Sequence, residues 1–165
     1  MYEYAVEDLV MYGAVGVCKV TDICSPDFMR DGSLYYVLQP VYNMSETIYA
    51  KIGSDKISMR RSLTREEAQT FIEEMKETEV LWYTNDKERD AEFKKILKSG
   101  DCKEWIRMVK GFYYTKKQKE SDGKKLSQAD TNIFQKAEKL LYGELALALG
   151  LTMEEIPSYI DSMLS

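Results

Sequence analysis

Lys103, Arg107, Lys110, Tyr114 and Lys117 recur at steps of four, three, four and three residues. On a helix that spacing gathers them into one stripe and leaves Trp105, Val109 and Phe112 to face inward. Lys87, Lys94 and Lys98 share a face of the preceding segment, and Ser99-Gly100-Asp101 forms a tight turn between the two. Neighbouring basic stripes suit a phosphate backbone, which is met by spaced cations rather than by a pocket. Nothing beside them resembles a base-reading element, so the contact they predict is sequence-independent. The same spacing also fits a solvated helix face, because charge pattern alone argues only for solubility and choice of partner.

Other chemistry finds little to work with. The chain has no histidine, which removes Ser-His-Asp and Cys-His hydrolases, HExxH proteases and zinc deaminases. Cys18, Cys24 and Cys102 form no C-x-x-C pair and are odd in number, so they predict neither a disulfide framework nor a zinc knuckle. They read as small buried apolar residues in a reducing cytoplasm. No G-x-x-x-x-G-K-[ST] loop occurs, and Gly13-Ala14-Val15-Gly16 lies between two strand-like runs, where a tight turn or bulge is expected. The pairs Glu66-Glu67 and Glu73-Glu74 belong to an exposed helix face. No catalytic set emerges, and no metal, cofactor or small-molecule substrate is expected.

The 165 residues carry 23 basic and 28 acidic groups, a net charge of −5, with 44% apolar residues. That composition describes a globular chain and excludes a uniformly basic coat. Charge is unevenly placed: residues 1–80 sum to −6 and residues 81–165 to +1, while residues 87–125 alone hold 13 basic and 7 acidic groups. The halves therefore suit different partners. The amino terminus lacks a basic leader, and no stretch approaches the roughly 18 apolar residues of a membrane span. A cytoplasmic protein without a membrane role is expected.

The elements that must position these residues divide at the same place. Runs rich in Val, Tyr and Ile, punctuated by Gly13, Gly16, Asp31-Gly32 and Pro40, predict strands near 9–12, 15–24, 33–40 and 46–52, with a short one near 57–60. Such strands make a small antiparallel β-barrel of the SH3 or Tudor type, partly open, with an edge strand available to a partner. After Leu63 the period becomes helical. Thr64 with Glu67, Asn85 with Glu88, Asp101 with Glu104, Ser127 with Asp130 and Thr152 with Glu155 mark five helix starts, and Gly100 and Gly150 mark stops. The run 116–125 reads as a polar loop. The fold expected is α+β: a β domain over 1–63, then an all-helical domain over 64–165 that begins with a linking helix, 64–80.

With both halves in view, the chain resembles the CarD/CdnL family of bacterial transcription regulators, whose amino-terminal domain is shared with the transcription–repair coupling factor. The resemblance rests on Val10-Met11-Tyr12-Gly13-Ala14-Val15-Gly16-Val17, Tyr35-Tyr36-Val37-Leu38, Thr47-Ile48-Tyr49-Ala50 and Met59-Arg60-Arg61 in the β half. It continues through Thr64-Arg65-Glu66-Glu67-Ala68, Leu97-Lys98-Ser99-Gly100-Asp101, Leu126-Ser127 and the run from Ala137 to Ala146. It implies that the barrel docks on the RNA polymerase β subunit by extending a sheet through Thr47, Ile48, Tyr49, Ala50 and Lys51. It also implies that the helical domain contacts promoter DNA and stabilises the open complex, which places the protein at the nucleoid. Lys110 matches a basic position of the family.

The chain departs from the family pattern at several points. Tyr49 stands where many members have Arg, and Lys51 where Pro is usual, so the resemblance implies no ion pair to the polymerase at Tyr49, where aromatic packing could take its place. The position of the actinobacterial minor-groove wedge Trp falls at Asp86; Trp82 is four residues earlier, and its plainer role is a staple between the β domain and the helices. The 116–125 loop is longer than in actinobacterial relatives, as in low-GC Gram-positive forms. Two other classes compete with this reading. One is a Tudor-like protein-binding adaptor with no direct DNA role, which DNA binding by the helical half would exclude. The other is an enzyme, which a metal or nucleotide carried by the purified protein would revive.

Overall fold

A computed structural model describes residues 2–164 of the chain, and these divide into two compact units, one up to Ser62 and one from Leu63. In the first, five strands run Leu9–Tyr12 (β1), Gly16–Cys24 (β2), Tyr35–Pro40 (β3), Ile48–Lys51 (β4) and Met59–Arg61 (β5). All neighbours are antiparallel and the sheet order is β4-β3-β2-β1-β5. The β1–β2 hairpin turns at residues 13–15, where Gly13 has φ 49° and an added Cβ would lie 2.7 Å from the Ile57 side chain. The glycine pair is thus a turn, not a phosphate loop. Alternation places Val10, Tyr12, Cys18, Val20, Tyr36, Leu38 and Ala50 in the core, where Tyr4 joins them. The ladder leaves two edges, β4 and β5, so this is the partly open form of the expected barrel.

The second unit is helical: Arg65–Glu74 (α1), Asp86–Ser99 (α2), Cys102–Ser121 (α3), Gln128–Leu149 (α4) and Ile156–Leu164 (α5). Local capping sets the helix starts. Thr64 and Glu67 exchange reciprocal bonds of 3.1 and 3.0 Å, Asn85 accepts from the Glu88 N–H, Asp101 from Lys103, and Ser127 from Asp130. Gly100 and Gly150 end α2 and α4 in the left-handed conformation. Phe93, Trp105, Met108, Phe112, Leu141, Leu145 and Ile156 are fully or nearly fully excluded from water. Each such side chain contributes on the order of 1.5–3 kcal/mol. The Trp105 indole N–H donates to the Ile96 carbonyl at 2.9 Å, so its burial leaves no polar atom stranded. Among the described residues no helix is long and apolar enough to cross a membrane.

Two boundaries differ from the sequence reading. The linking helix ends at Glu77, after a 3-10 turn over Met75–Glu77, rather than at residue 80. Thr78 is extended and its hydroxyl donates back to the Glu74 carbonyl, closing the helix. The supposed loop 116–125 is helical as far as Ser121, because Lys, Gln and Glu are strong helix formers and outweigh the polarity of the run. Only residues 122–127 lie between α3 and α4.

Candidate functional site

In the β unit, the expected docking strand is β4. Thr47 lies just before it, and Ile48, Tyr49, Ala50 and Lys51 form it, paired with β3 alone. Antiparallel pairing turns alternate peptide groups toward the neighbour. The Ile52 N–H donates to the Leu34 carbonyl at 3.0 Å, which fixes the phase: Ile48, Ala50 and Ile52 bond β3. The Tyr49 N–H and C=O and the Lys51 N–H point away from β3 and meet no partner among the described residues. Side chains alternate likewise, Ala50 inward and Tyr49 outward. The Phe28 ring, 64% exposed, meets Tyr49 edge to face with centroids 5.0 Å apart. Lys51 approaches Asp31 at 4.0 Å, and the Tyr35 hydroxyl donates to the same carboxylate at 2.7 Å. That bond and the Ser33 N–H hold the Asp31 carboxyl below its ordinary range.

In the helical unit the predicted stripe is real on α3 but partly used up. Lys103, Tyr114 and Lys117 are exposed, whereas Arg107 and Lys110 are half-buried. Arg107 pairs with Glu104 at 2.8 Å, and this contact raises its pKa. The Lys110 Nζ donates to the Thr78 carbonyl at 2.6 Å and reaches the Lys76 carbonyl at 3.5 Å. Burial lowers the Lys110 pKa, and Glu77 offsets only part of the effect. The cause is residues 78–83, an extended stretch that lies along α3, with the Leu81 N–H donating to the Arg107 carbonyl. On α2, Lys87, Lys94 and Lys98 are exposed, but Lys94 pairs with Asp90 at 2.9 Å.

The densest polar constellation is one that the sequence reading missed. Arg89, 6% exposed, donates through Nε and Nη2 to both oxygens of buried Asp130, at 3.0 and 2.8 Å. Nη1 donates to the Tyr83 carbonyl, Nη2 also to Asp86, and the guanidinium lies 4.7 Å from the centre of the Trp82 ring. Burial alone would lower the Arg89 pKa, but the Asp130 and Asp86 bonds more than offset it, and the net shift is upward. Trp82 also packs edge to face on Phe93 and Phe112, inside the helical unit. Asp86, at the wedge position, serves as an exposed partner of Arg89. Burial pushes the Cys18 thiol up to about 12, which removes its thiolate chemistry. Among the described residues no group of His, Cys, Asp or Glu is arranged to hold a metal ion.

The family model described as CarD, C-terminal domain, matches residues 70–161. The chain belongs to the CarD family. The matched span begins within α1 and covers α2, α3, α4 and part of α5, so every basic residue of the predicted stripes lies inside the CarD domain. No curated protein matches the chain. Membership makes this a CarD-like, transcription-related protein.

The CarD domain owes part of its rigidity to residues that first read as ligand contacts. Replacing Lys110 with Met should lower stability by about 1.5–3 kcal/mol, the worth of a hydrogen bond from a charged donor, here to the part-buried Thr78 carbonyl. Urea unfolding measures this, and an unchanged midpoint would return Lys110 to the free surface. The signal for Arg89 was faint: one arginine on the apolar side of α2, with its acid 41 residues away.

Proposed function

We propose that this CarD-family protein is a non-enzymatic transcription regulator. Its β unit docks on the β subunit of bacterial RNA polymerase by adding a strand to β4, and its helical unit contacts promoter DNA and stabilises the open complex. It acts in the cytoplasm, at the nucleoid, and needs no cofactor. The observation that carries this reading is the β4 edge, whose Tyr49 N–H and C=O and Lys51 N–H are unclaimed beside half-buried Tyr49 and exposed Phe28. Tethering raises the local concentration of a weak DNA-binding unit, so each contact can be modest alone.

The phase of β4 decides which variant tests this. A proline at Ile48 removes an N–H that bonds β3, and so damages the sheet itself. A proline at Tyr49 removes an outward N–H, and edge strands accept proline there. In biolayer interferometry with the isolated polymerase β lobe, the wild-type chain should bind saturably. Tyr49→Pro should lose most of that binding with an unchanged circular dichroism spectrum, while Tyr49→Ala keeps the main-chain contact and loses less. Silence from the folded wild-type chain would defeat the polymerase reading. The adaptor without a DNA role draws support from one observation, the internal use of Arg107 and Lys110. Binding of duplex DNA by the whole chain would remove it.

A further inference from the structure

Two groups stand out among the cations of the helical unit. Arg89, Lys94, Lys95 and Arg107 are ion-paired, and Lys110 is spent on carbonyls. Lys116, Lys117, Lys119, Lys124 and Lys125 form no ion pair among the described residues, although Glu120 and Asp122 lie in the same ten-residue run. Lys117 instead sits over the Tyr113 ring at 4.5 Å. Lys87, Lys98 and Lys103 are unpaired as well, but they are strung along α2 and the start of α3 with acids between them.

The turn brings three of the second group together, Lys116, Lys124 and Lys125. Its backbone is knit onto the end of α3: the Asp122 N–H donates to the Gln118 and Lys119 carbonyls, the Gly123 N–H to Glu120, and the Lys124 N–H to Lys119 at 2.6 Å. A cleft of about 580 Å³ is then lined by Lys116, Lys124 and Lys125, which outnumber the two carboxylates there, Glu120 and Glu138. The 22-residue α4 starts beside them and adds the positive end of its dipole. The acid in its first turn, Asp130, is turned inward and neutralised by Arg89, so it does not cancel that potential.

Resting on the proposed DNA role, we infer that the phosphate contact of this chain is centred on the α3–α4 turn, through Lys116, Lys124 and Lys125, rather than on the stripe of α3 that spacing suggests. The partner is duplex DNA, met without base reading. Beside the lysines the cleft mixes Gln128, Thr131 and Gln135 with Leu126 and Phe134, and so lacks the continuous apolar face that a membrane-lying helix buries.

Fluorescence anisotropy of the full chain with a labelled duplex of about 30 base pairs, at roughly 50 to 200 mM salt, tests this against a charge-matched control. Lys116→Glu/Lys124→Glu/Lys125→Glu should weaken binding at least tenfold and flatten the log–log salt slope by about 2–3, near one for each phosphate no longer neutralised. Lys87→Glu/Lys98→Glu/Lys103→Glu should weaken it less than about threefold. Circular dichroism should be unchanged in both, since all six side chains are exposed. Equal losses, or a larger loss in the control, would overturn the assignment while leaving the DNA role standing. A wild-type chain that binds no DNA would overturn both. Binding instead to vesicles containing phosphatidylserine, abolished in the turn variant, would replace DNA with a membrane surface.

Discussion

Replacing Arg89 with methionine should cost the helical unit about 3–5 kcal/mol, because it strands a buried carboxylate. The side chains of Arg89 and Asp130 are each 7% exposed, and their two parallel bonds leave neither group dependent on water. Methionine fills much of the same space but returns nothing to Asp130 or to the Tyr83 carbonyl. Removing both charges, as Arg89→Met with Asp130→Leu, should recover most of the loss, since no isolated charge then remains buried. Asp86, with its side chain 90% exposed, should matter little: Asp86→Ala is worth under about 1 kcal/mol. Urea denaturation followed by circular dichroism reads all three, and an Arg89→Met midpoint equal to wild type would mean that Asp130 is solvated.

Gly111→Ala is the second large effect, and it runs against helix propensity. Alanine in mid-helix is favoured over glycine by about 1 kcal/mol. Here the added Cβ would collide with the Leu81 carbonyl oxygen and lie 3.1 Å from the Trp82 ring. The obstacle is main chain, held by the bond from the Leu81 N–H to Arg107 and by Lys110 at Thr78, so it cannot withdraw without breaking them. Overpacking of this kind costs roughly 1–3 kcal/mol or more, and a net loss of about 2 kcal/mol is expected. The Trp82 indole should move off Phe93 and Phe112, shifting tryptophan emission to the red. A variant as stable as the wild type would show that residues 78–83 are only loosely laid on α3.

What could be read in the residues was what neighbours in sequence decide. Thr64, Asn85, Asp101, Ser127 and Thr152 each cap a helix within three positions of themselves, and Gly100 and Gly150 stop helices through their own backbone freedom. The strands followed from alternation and turn glycines. The fate of the basic stripe was not legible, because it depends on residues 78–83, which have no period and no motif. Arg107 and Lys110 keep the right spacing for a solvent-facing row, yet another piece of chain occupies their side of the helix. Arg89 was hidden for the same reason, its partner being remote in sequence. The 116–125 run misled in the opposite sense: polarity suggested loop where intrinsic propensity extended α3, and this extension brings its lysines to the turn.

The phase of β4 makes its edge tolerant in one way and brittle in another. Side chains at Tyr49 and Lys51 can drift through many substitutions while the same peptide groups continue to face outward. Lineages that had exchanged charge for aromatic surface there would still present an equivalent backbone. A single-residue insertion or deletion within the strand is different in kind. It would swap the outward and inward peptide groups and carry Ile48 and Ala50 out of the core together. Divergence along this strand should therefore be rich in replacements and nearly free of length changes.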